Sequence, residues 1–407
     1  MISFFDFRRA ALSKIFKRIT MTNILKFISG SLLLFVTLTA VAEEKQFSSA
    51  MKEELQTKME LLVKEINAPG FNVGIWIPGE GEWESSFGVA DKETSEKMSL
   101  ENHFRIGSIT KTFVITAVLQ LVDKGDISLD DKISKYVDNV PNGKEITIRQ
   151  LANMTSGLAN YSEDEEWVTK AIYTKNDRNV PTSELLNVAF KLPPTFAPGK
   201  GWHYSNTNTV LLGQVIEKVS GLSLDQYLQK NIFTPLELNN TSYPLDEKMP
   251  SPYAHGYTKQ TLDGKEADAT FNSPSWTNAA GQMISTFADL KIWAKALGTG
   301  ALLSEGAFKE RLNWVTLAPN TKIRKYGLGV GSNSGWINHT GSLPGYNCIV
   351  AYLPEKQAIF VVMINSDIAL VKKEKEVPLT DMVFEAVTKI VTPDNVPIRS
   401  DANNRCD

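Results

Sequence analysis

Two cysteines among 407 residues are too few for a disulfide framework. Cys348 lies in the apolar run NCIVAYL and Cys406 is the penultimate residue of a polar tail, so no bridge between them is expected. Histidine is also scarce. His103, His203, His255 and His339 are scattered, with no HExxH and no paired-cysteine spacing, so neither a metal site nor a cofactor is expected. Positive charge is not in excess: the net charge is −3, and without the first 42 residues, which hold six Lys/Arg and one Asp, it becomes −8. Such an acidic chain makes a poor partner for nucleic acid. The sequence has no repeat of fixed period and no low-complexity segment.

The sequence also lacks an apolar run long enough to cross a bilayer as a stable helix, which takes about 20 residues. The nearest approach, SLLLFVTLTAVA, follows a basic segment and ends in Ala40-Val41-Ala42 before Glu43. This is the pattern of a secretory signal with an A-x-A cleavage site, so residues 1–42 are read as a signal peptide and the product as periplasmic or secreted. A retained anchor is the alternative, and translation starting at Met21 would leave all three signal regions in place. Arg8-Arg9 lies too far from the apolar stretch for a twin-arginine signal.

Beyond the signal, Met51, Leu55, Met59, Leu62 and Ile66 recur at helical spacing. GFNVGIWIPG then sets Phe71, Val73, Ile75 and Ile77 against Asn72, Gly74 and Trp76, and a Pro-Gly turn leads into GEGEWESSFGVAD, which predicts a hairpin. Near the other end, YNCIVAYL and QAIFVVMI flank the turn Pro354–Gln357, and an amphipathic segment follows over 378–391. Between these outer pieces lie helical patterns such as TKTFVITAVLQLVDKG and NTVLLGQVIEKVSG, stopped by Gly125 and Gly221. The acidic run Glu163–Glu166 reads as a solvated face or a helix start. The economical arrangement is one α/β (α+β) unit over 43–407. Its antiparallel five-stranded sheet comes from about 43–105 and 277–391, is flanked by terminal helices, and carries an inserted all-helical region at about 106–276.

Three short motifs carry candidate chemistry. Ser108-Ile109-Thr110-Lys111 opens a helix after FRIG, which puts the serine at the positive end of the helix dipole with the lysine one turn on, on the same face. The preceding Gly107 leaves room for close approach. An N-cap serine with a solvated lysine would look the same, and a second copy, Ser49–Lys52, shows how weak the pattern is alone. Tyr204-Ser205-Asn206 stands where a loop meets a helix. His339-Thr340-Gly341 stands just before the apolar strand pair, and half-buried strand-end packing would equally account for its histidine.

In this order the three motifs resemble the penicillin-recognising serine hydrolases: soluble D-alanyl-D-alanine carboxypeptidases, class C β-lactamases and related esterases. FRIGSITKTF, ITIRQLANMTSGL, PGKGWHYSNTNTVLLGQVIEKVSGLSLDQYL, IFTPLELNNTSY, WTNAAGQMISTFADL, YGLGVG and HTGSLPGY carry the likeness over about 47–391. It implies a sheet beside an all-helical region, with Ser108 as nucleophile and Lys111 and Tyr204 as proton carriers. Burial of Lys111 would make a neutral amine available, but which of the two takes the serine proton is not legible. It further implies that the backbone N–H groups of Ser108 and Ser342, the latter just beyond His339-Thr340-Gly341, form an oxyanion hole. Asn206 would hold the acyl-side amide, His339 and Thr340 would meet the carboxylate end, and Trp276 would line the pocket.

The implied substrates are peptidoglycan-type D-peptides or β-lactams. The histidine in place of the lactamases' more frequent lysine tilts the reading towards a carboxypeptidase. A class C-like β-lactamase or carboxylesterase, and a penicillin- or peptidoglycan-binding protein without turnover, are the rivals. One departure stands out. Carboxypeptidases with the histidine variant carry a carboxylate-gripping arginine after the YGLG strand, where this chain has Val330–Asn333; Arg324 and Lys325 precede the strand, on the wrong side.

Overall fold

The computed structural model describes residues 46–174, 177–317, 324–372 and 375–399. The signal segment and Cys406 lie outside these, and Cys348 is a buried free thiol. No helix among the described residues is long and apolar enough to cross a membrane.

An antiparallel sheet forms the centre, built from β1 (Gly70–Ile77), β2 (Gly81–Gly88), β3 (Val315–Thr316), β4 (Lys325–Tyr326), β5 (Gly331–Asn333), β6 (Trp336–Leu343), β7 (Tyr346–Leu353) and β8 (Ala358–Ile364). Their spatial order is β2-β1-β8-β7-β6-β5-β4-β3, so strands from the two ends of the chain meet where β1 pairs with β8. The four strands read from the sequence are β1, β2, β7 and β8, and β6 brings the strands of seven or eight residues to the expected five; three strands of two or three residues extend the sheet to eight. Those short strands carry too few residues to show a period.

Both faces of the sheet are covered. Helices α1 (Ser49–Ile66) and α5 (Leu379–Val391) pack on one face through Leu55, Met59, Val383 and Val387 against Phe71, Val73, Ile349, Phe360 and Val362. On the other face, Trp76, Cys348, Val350, Val361 and Met363 join a larger core. That core includes α2 (Thr110–Asp123), α3 (Asn206–Ser220) and α4 (Phe287–Thr299). The alternation of β1 suggests one apolar and one polar face, yet all eight residues are buried. The reason is α4, whose Phe287 meets Trp76 with ring centroids 5.5 Å apart.

Eleven of the fourteen residues of α2 are buried, which makes it a central helix rather than an amphipathic surface one. Two of its polar side chains are tied to neighbouring elements: Trp293 Nε1 donates to Thr112 Oγ1 at 2.8 Å, and Arg311 Nη2 donates to Thr116 Oγ1 at 2.6 Å. Gly125 (φ 75°) and Gly221 (φ 70°) take the left-handed conformation that ends α2 and α3. The inserted region is not wholly helical, since Tyr257–Thr258 pairs with Ala267–Asp268. Of the acidic run, Asp164 accepts from Trp167 N at 2.8 Å and starts a one-turn helix.

Phe360 is fully buried and stacks on Phe384 with centroids 4.3 Å apart, joining the sheet to the C-terminal helix. Phe360→Ala is expected to lower unfolding free energy by about 3–5 kcal/mol, measured by urea denaturation.

Candidate active site

The chain reaches Ser108 through a one-turn 3₁₀ helix, Gly107–Ile109, that runs directly into α2. Lys111 is therefore in the first turn of α2 and fully buried, while Ser108 is 8 % exposed. Lys111 Nζ lies 2.8 Å from Ser108 Oγ and 2.7 Å from the carbonyl oxygen of Ala280. An amine at the first distance can take the hydroxyl proton whenever it is itself neutral. The other Ser-x-x-Lys has a different setting. Ser49 is exposed at the start of α1, and Lys52 Nζ donates to Gln46 Oε1 at the surface.

Two glycines let β6 lie against the Ser108 turn. A Cβ on Gly341 would fall 1.9 Å from Ile106 O and 3.3 Å from Ser108 N, and one on Gly107 (φ 50°) would fall 2.8 Å from Ser342 N. The backbones of the turn and the strand edge are thus in direct contact, with the N–H groups of Ser108 and Ser342 beside one another.

His339-Thr340-Gly341 precedes the apolar strand pair as expected, and it lies inside a further strand, β6, which pairs with β7 along 337–343 and with β5 over 336–338. The polar and glycine residues of this stretch hide the strand from any propensity reading. Alternation sends His339 towards the interior. Its ring centroid is 6.3 Å from that of Tyr204, Nδ1 donates to Thr340 O at 2.6 Å, and Nε2 accepts from Tyr326 Oη at 3.1 Å. Burial, reinforced by the Lys111 charge, pushes its pKa down to about 3, so the ring is neutral. Tyr204 is buried just before α3, with Lys111 Nζ 4.9 Å from its ring centroid.

A cavity of about 840 Å³ opens at Ser108, lined also by Ser162, Asn206, Trp276, Ala280, Ser342 and Leu343. Asn206 Nδ2 donates to Ser162 Oγ at 3.0 Å, while its Oδ1 is buried without a partner. That leaves an acceptor for a substrate N–H. His339 and Thr340 instead line a separate cavity of about 870 Å³. Thr340 shares a strand face with Ser342, so the two are one pleat repeat, about 7 Å, apart. Arg324 and Lys325 line this second cavity too, which corrects their placement on the wrong side: the β4–β5 hairpin pairs Lys325 with Ser332 and folds them back beside the strand.

Several residues at the site escaped the sequence reading. Ser162 sits beside an acidic run, Tyr326 belongs to a motif noted for its glycines, and Ala280 acts through its carbonyl. Gln260, which lines the Ser108 cavity, donates to the half-buried Asp367, whose other oxygen accepts from Gly345 N at 3.0 Å. None of these carries a local sequence signal.

A central helix bearing a buried lysine against a serine, pressed to the edge of an antiparallel sheet, defines a serine hydrolase of the β-lactamase and penicillin-binding-protein type. The Beta-lactamase family model matches residues 55–378, and the chain belongs to that family. A penicillin-binding protein of Bacillus subtilis (strain 168) is 27% identical over 383 residues, covering 86% of this chain and 78% of that one. Among solved structures, a D-stereospecific amidohydrolase from Streptomyces sp. superposes with a TM-score of 0.71 at 31% identity, over 78% of this chain and 94% of that one. A D-amino acid amidase from Ochrobactrum anthropi SV3 gives a TM-score of 0.70 at 26% identity, over 77% and 91%.

Two outcomes follow. Gly341→Ala forces β6 away from the Ser108 turn and is expected to slow acylation about a hundredfold or more, measured by stopped-flow with a chromogenic substrate. His339 stays neutral in the folded chain but titrates near 6.5 when unfolded. The unfolded state therefore binds the extra proton, and this group removes stability as pH falls from about 6.5 towards 3, at up to about 1.4 kcal/mol per unit. Urea titrations of His339→Gln should show a shallower loss over that window.

Proposed function

We propose that Ser108 is acylated by D-alanyl-D-alanine-type peptides and by penicillins, and that water then releases the acyl group. The observation that carries this reading is the 2.8 Å contact between Lys111 Nζ and Ser108 Oγ, set against the glycine-bared edge of β6. Lys111 or Tyr204 takes the serine proton, and the partner returns it to the leaving nitrogen. The carbonyl oxygen sits between the N–H groups of Ser108 and Ser342, and Asn206 Oδ1 accepts from the acyl-side amide. Thr340 faces the leaving-group carboxylate with His339 behind it, and Arg324 and Lys325 supply the positive charge that no residue after YGLG provides. Trp276 walls the acyl side. The signal-like pattern ending in Ala40-Val41-Ala42 supports a periplasmic or secreted location for this activity, where wall peptides are found.

A second reading, D-amino-acid amidase, is favoured by the two amidohydrolase structures the chain resembles. It shares every step up to the acyl-enzyme and differs in the leaving group, ammonia in place of D-alanine.

Incubation with a fluorescent penicillin, followed by intact mass spectrometry, is expected to give a stable adduct on Ser108 that Ser108→Ala abolishes and Ser49→Ala leaves unchanged. Labelling that survives Ser108→Ala would discard the assignment. Rapid release of opened penicillin would mark a β-lactamase, and ester turnover without an adduct an esterase.

A further inference from the structure

Beside the Ser108 cavity lies a third, narrower one of about 390 Å³, which shares Ile172, Trp276, Leu343 and Pro344 with it. Its other walls include Arg105 and Arg178. Arg105 is only 3% exposed. Its Nη2 donates to Glu247 O at 2.7 Å and to Thr270 O at 3.0 Å, and Nε donates to Thr270 O at 3.3 Å. All these acceptors are neutral carbonyl oxygens. Among the described residues Nη1 has no acceptor and no carboxylate forms an ion pair with Arg105, although Asp246 and Glu247 are near enough to act on its charge.

A buried guanidinium held by carbonyls, with one nitrogen unanswered, is expensive unless something else completes it. Arg178 stands on the same cavity. Its carbonyl accepts from Ser275 Oγ at 3.3 Å, which fixes the 178 backbone to the turn carrying Trp276, and its guanidinium pairs with Glu184.

The position of this cavity identifies which part of a substrate would enter it. Leu343 and Pro344 follow Ser342, whereas His339 and Thr340 precede it. The cavity therefore opens at the end of the strand edge away from the leaving-group carboxylate. We infer that Arg105 and Arg178 form an acyl-side subsite that takes a carboxylate, so that the favoured acyl donors carry an acidic group on the side chain or N-acyl portion preceding the scissile bond. One carboxylate oxygen accepts from Arg105 Nη1 and the other faces Arg178. Neutral and cationic acyl groups leave the Nη1 donor unanswered and gain nothing there. This inference rests on acylation of Ser108 as proposed above.

The test compares benzylpenicillin with its α-carboxylated analogue, which differ by one carboxylate on the acyl side chain. Second-order acylation constants of the full chain are measured by intact mass. The carboxylated compound is expected to react about tenfold faster or more, the size a charge-assisted hydrogen bond supplies. Arg178→Gln is expected to lose most of that preference, the ratio of the two acylation constants falling towards one. Arg105→Lys, which keeps the charge but not the fork of donors, is a second variant, with its fold checked by circular dichroism. Equal rates for the two compounds in the unaltered protein, or a preference that persists in both variants, would show that Nη1 holds water only and would overturn the subsite alone. Failure of both compounds to acylate Ser108 would overturn the subsite and the proposed function together.

Discussion

The close approach of two backbones, the Ser108 turn and the edge of β6, is the constraint on which the rest of the site depends. It exists because residue 341 has no side chain: any Cβ there would overlap the carbonyl of Ile106. The approach brings two peptide N–H groups to one spot and aligns the strand edge with the serine. α2 then needs only one turn to deliver Lys111. A loop could carry the same residues, but not with this precision, since both partners of the contact are fixed by extensive burial on the two sides of the sheet.

The charge arrangement follows from the same burial. Lys111 enters the interior with polar contacts to Ser108 and to Ala280, on elements far apart in sequence. A second buried cation at position 339 would raise the cost of both. The histidine avoids this by remaining neutral, its Nδ1 proton fixed on Thr340 O and its Nε2 accepting from Tyr326. The strand therefore adds no positive charge beside Tyr204. Position 339 fills space and orients the phenol's surroundings without competing for the proton.

Much of the fold was legible because burial leaves periodic traces. α1, α3, α5 and the β7–β8 hairpin fall where apolar spacing put them, and the glycines at 125 and 221 stop their helices through left-handed backbone. The motif residues 108 and 111 were legible as a pair only through order along the chain and family resemblance, since the copy at 49 and 52 has the same letters on an exposed helix end. Strand β6 was missed as a strand because Asn338, His339, Gly341 and Ser342 are poor strand formers; β7 holds 339–342 extended from one side, β5 pairing only as far as Asn338. The return of Arg324 and Lys325 was illegible for a different reason. A hairpin reverses the chain, so a residue's place before a strand says nothing about which cavity its side chain reaches.

This acidic chain keeps its cations in particular places. Arg324 and Lys325 stand on the cavity reached from Thr340, and Arg105 and Arg178 stand on the one reached from Leu343, so positive side chains flank the strand edge at both ends with the Ser108 cavity between them. On a surface with a net charge of the opposite sign, such local concentrations act over a few ångströms and fade beyond a Debye length. They do little to draw a ligand from afar. If Ser108 is acylated as proposed, their effect would be on register: an extended peptide with an anionic group on each side of the scissile amide would have one placement along β6 that answers both ends, with the reacting carbonyl opposite Ser108. Peptides displaced by one residue lose one of the two charge contacts, and because the pleat repeats every second residue they also turn the wrong face to the strand. Selection for the acidic chain would thus be exerted through alignment at the serine more than through affinity for the cleft.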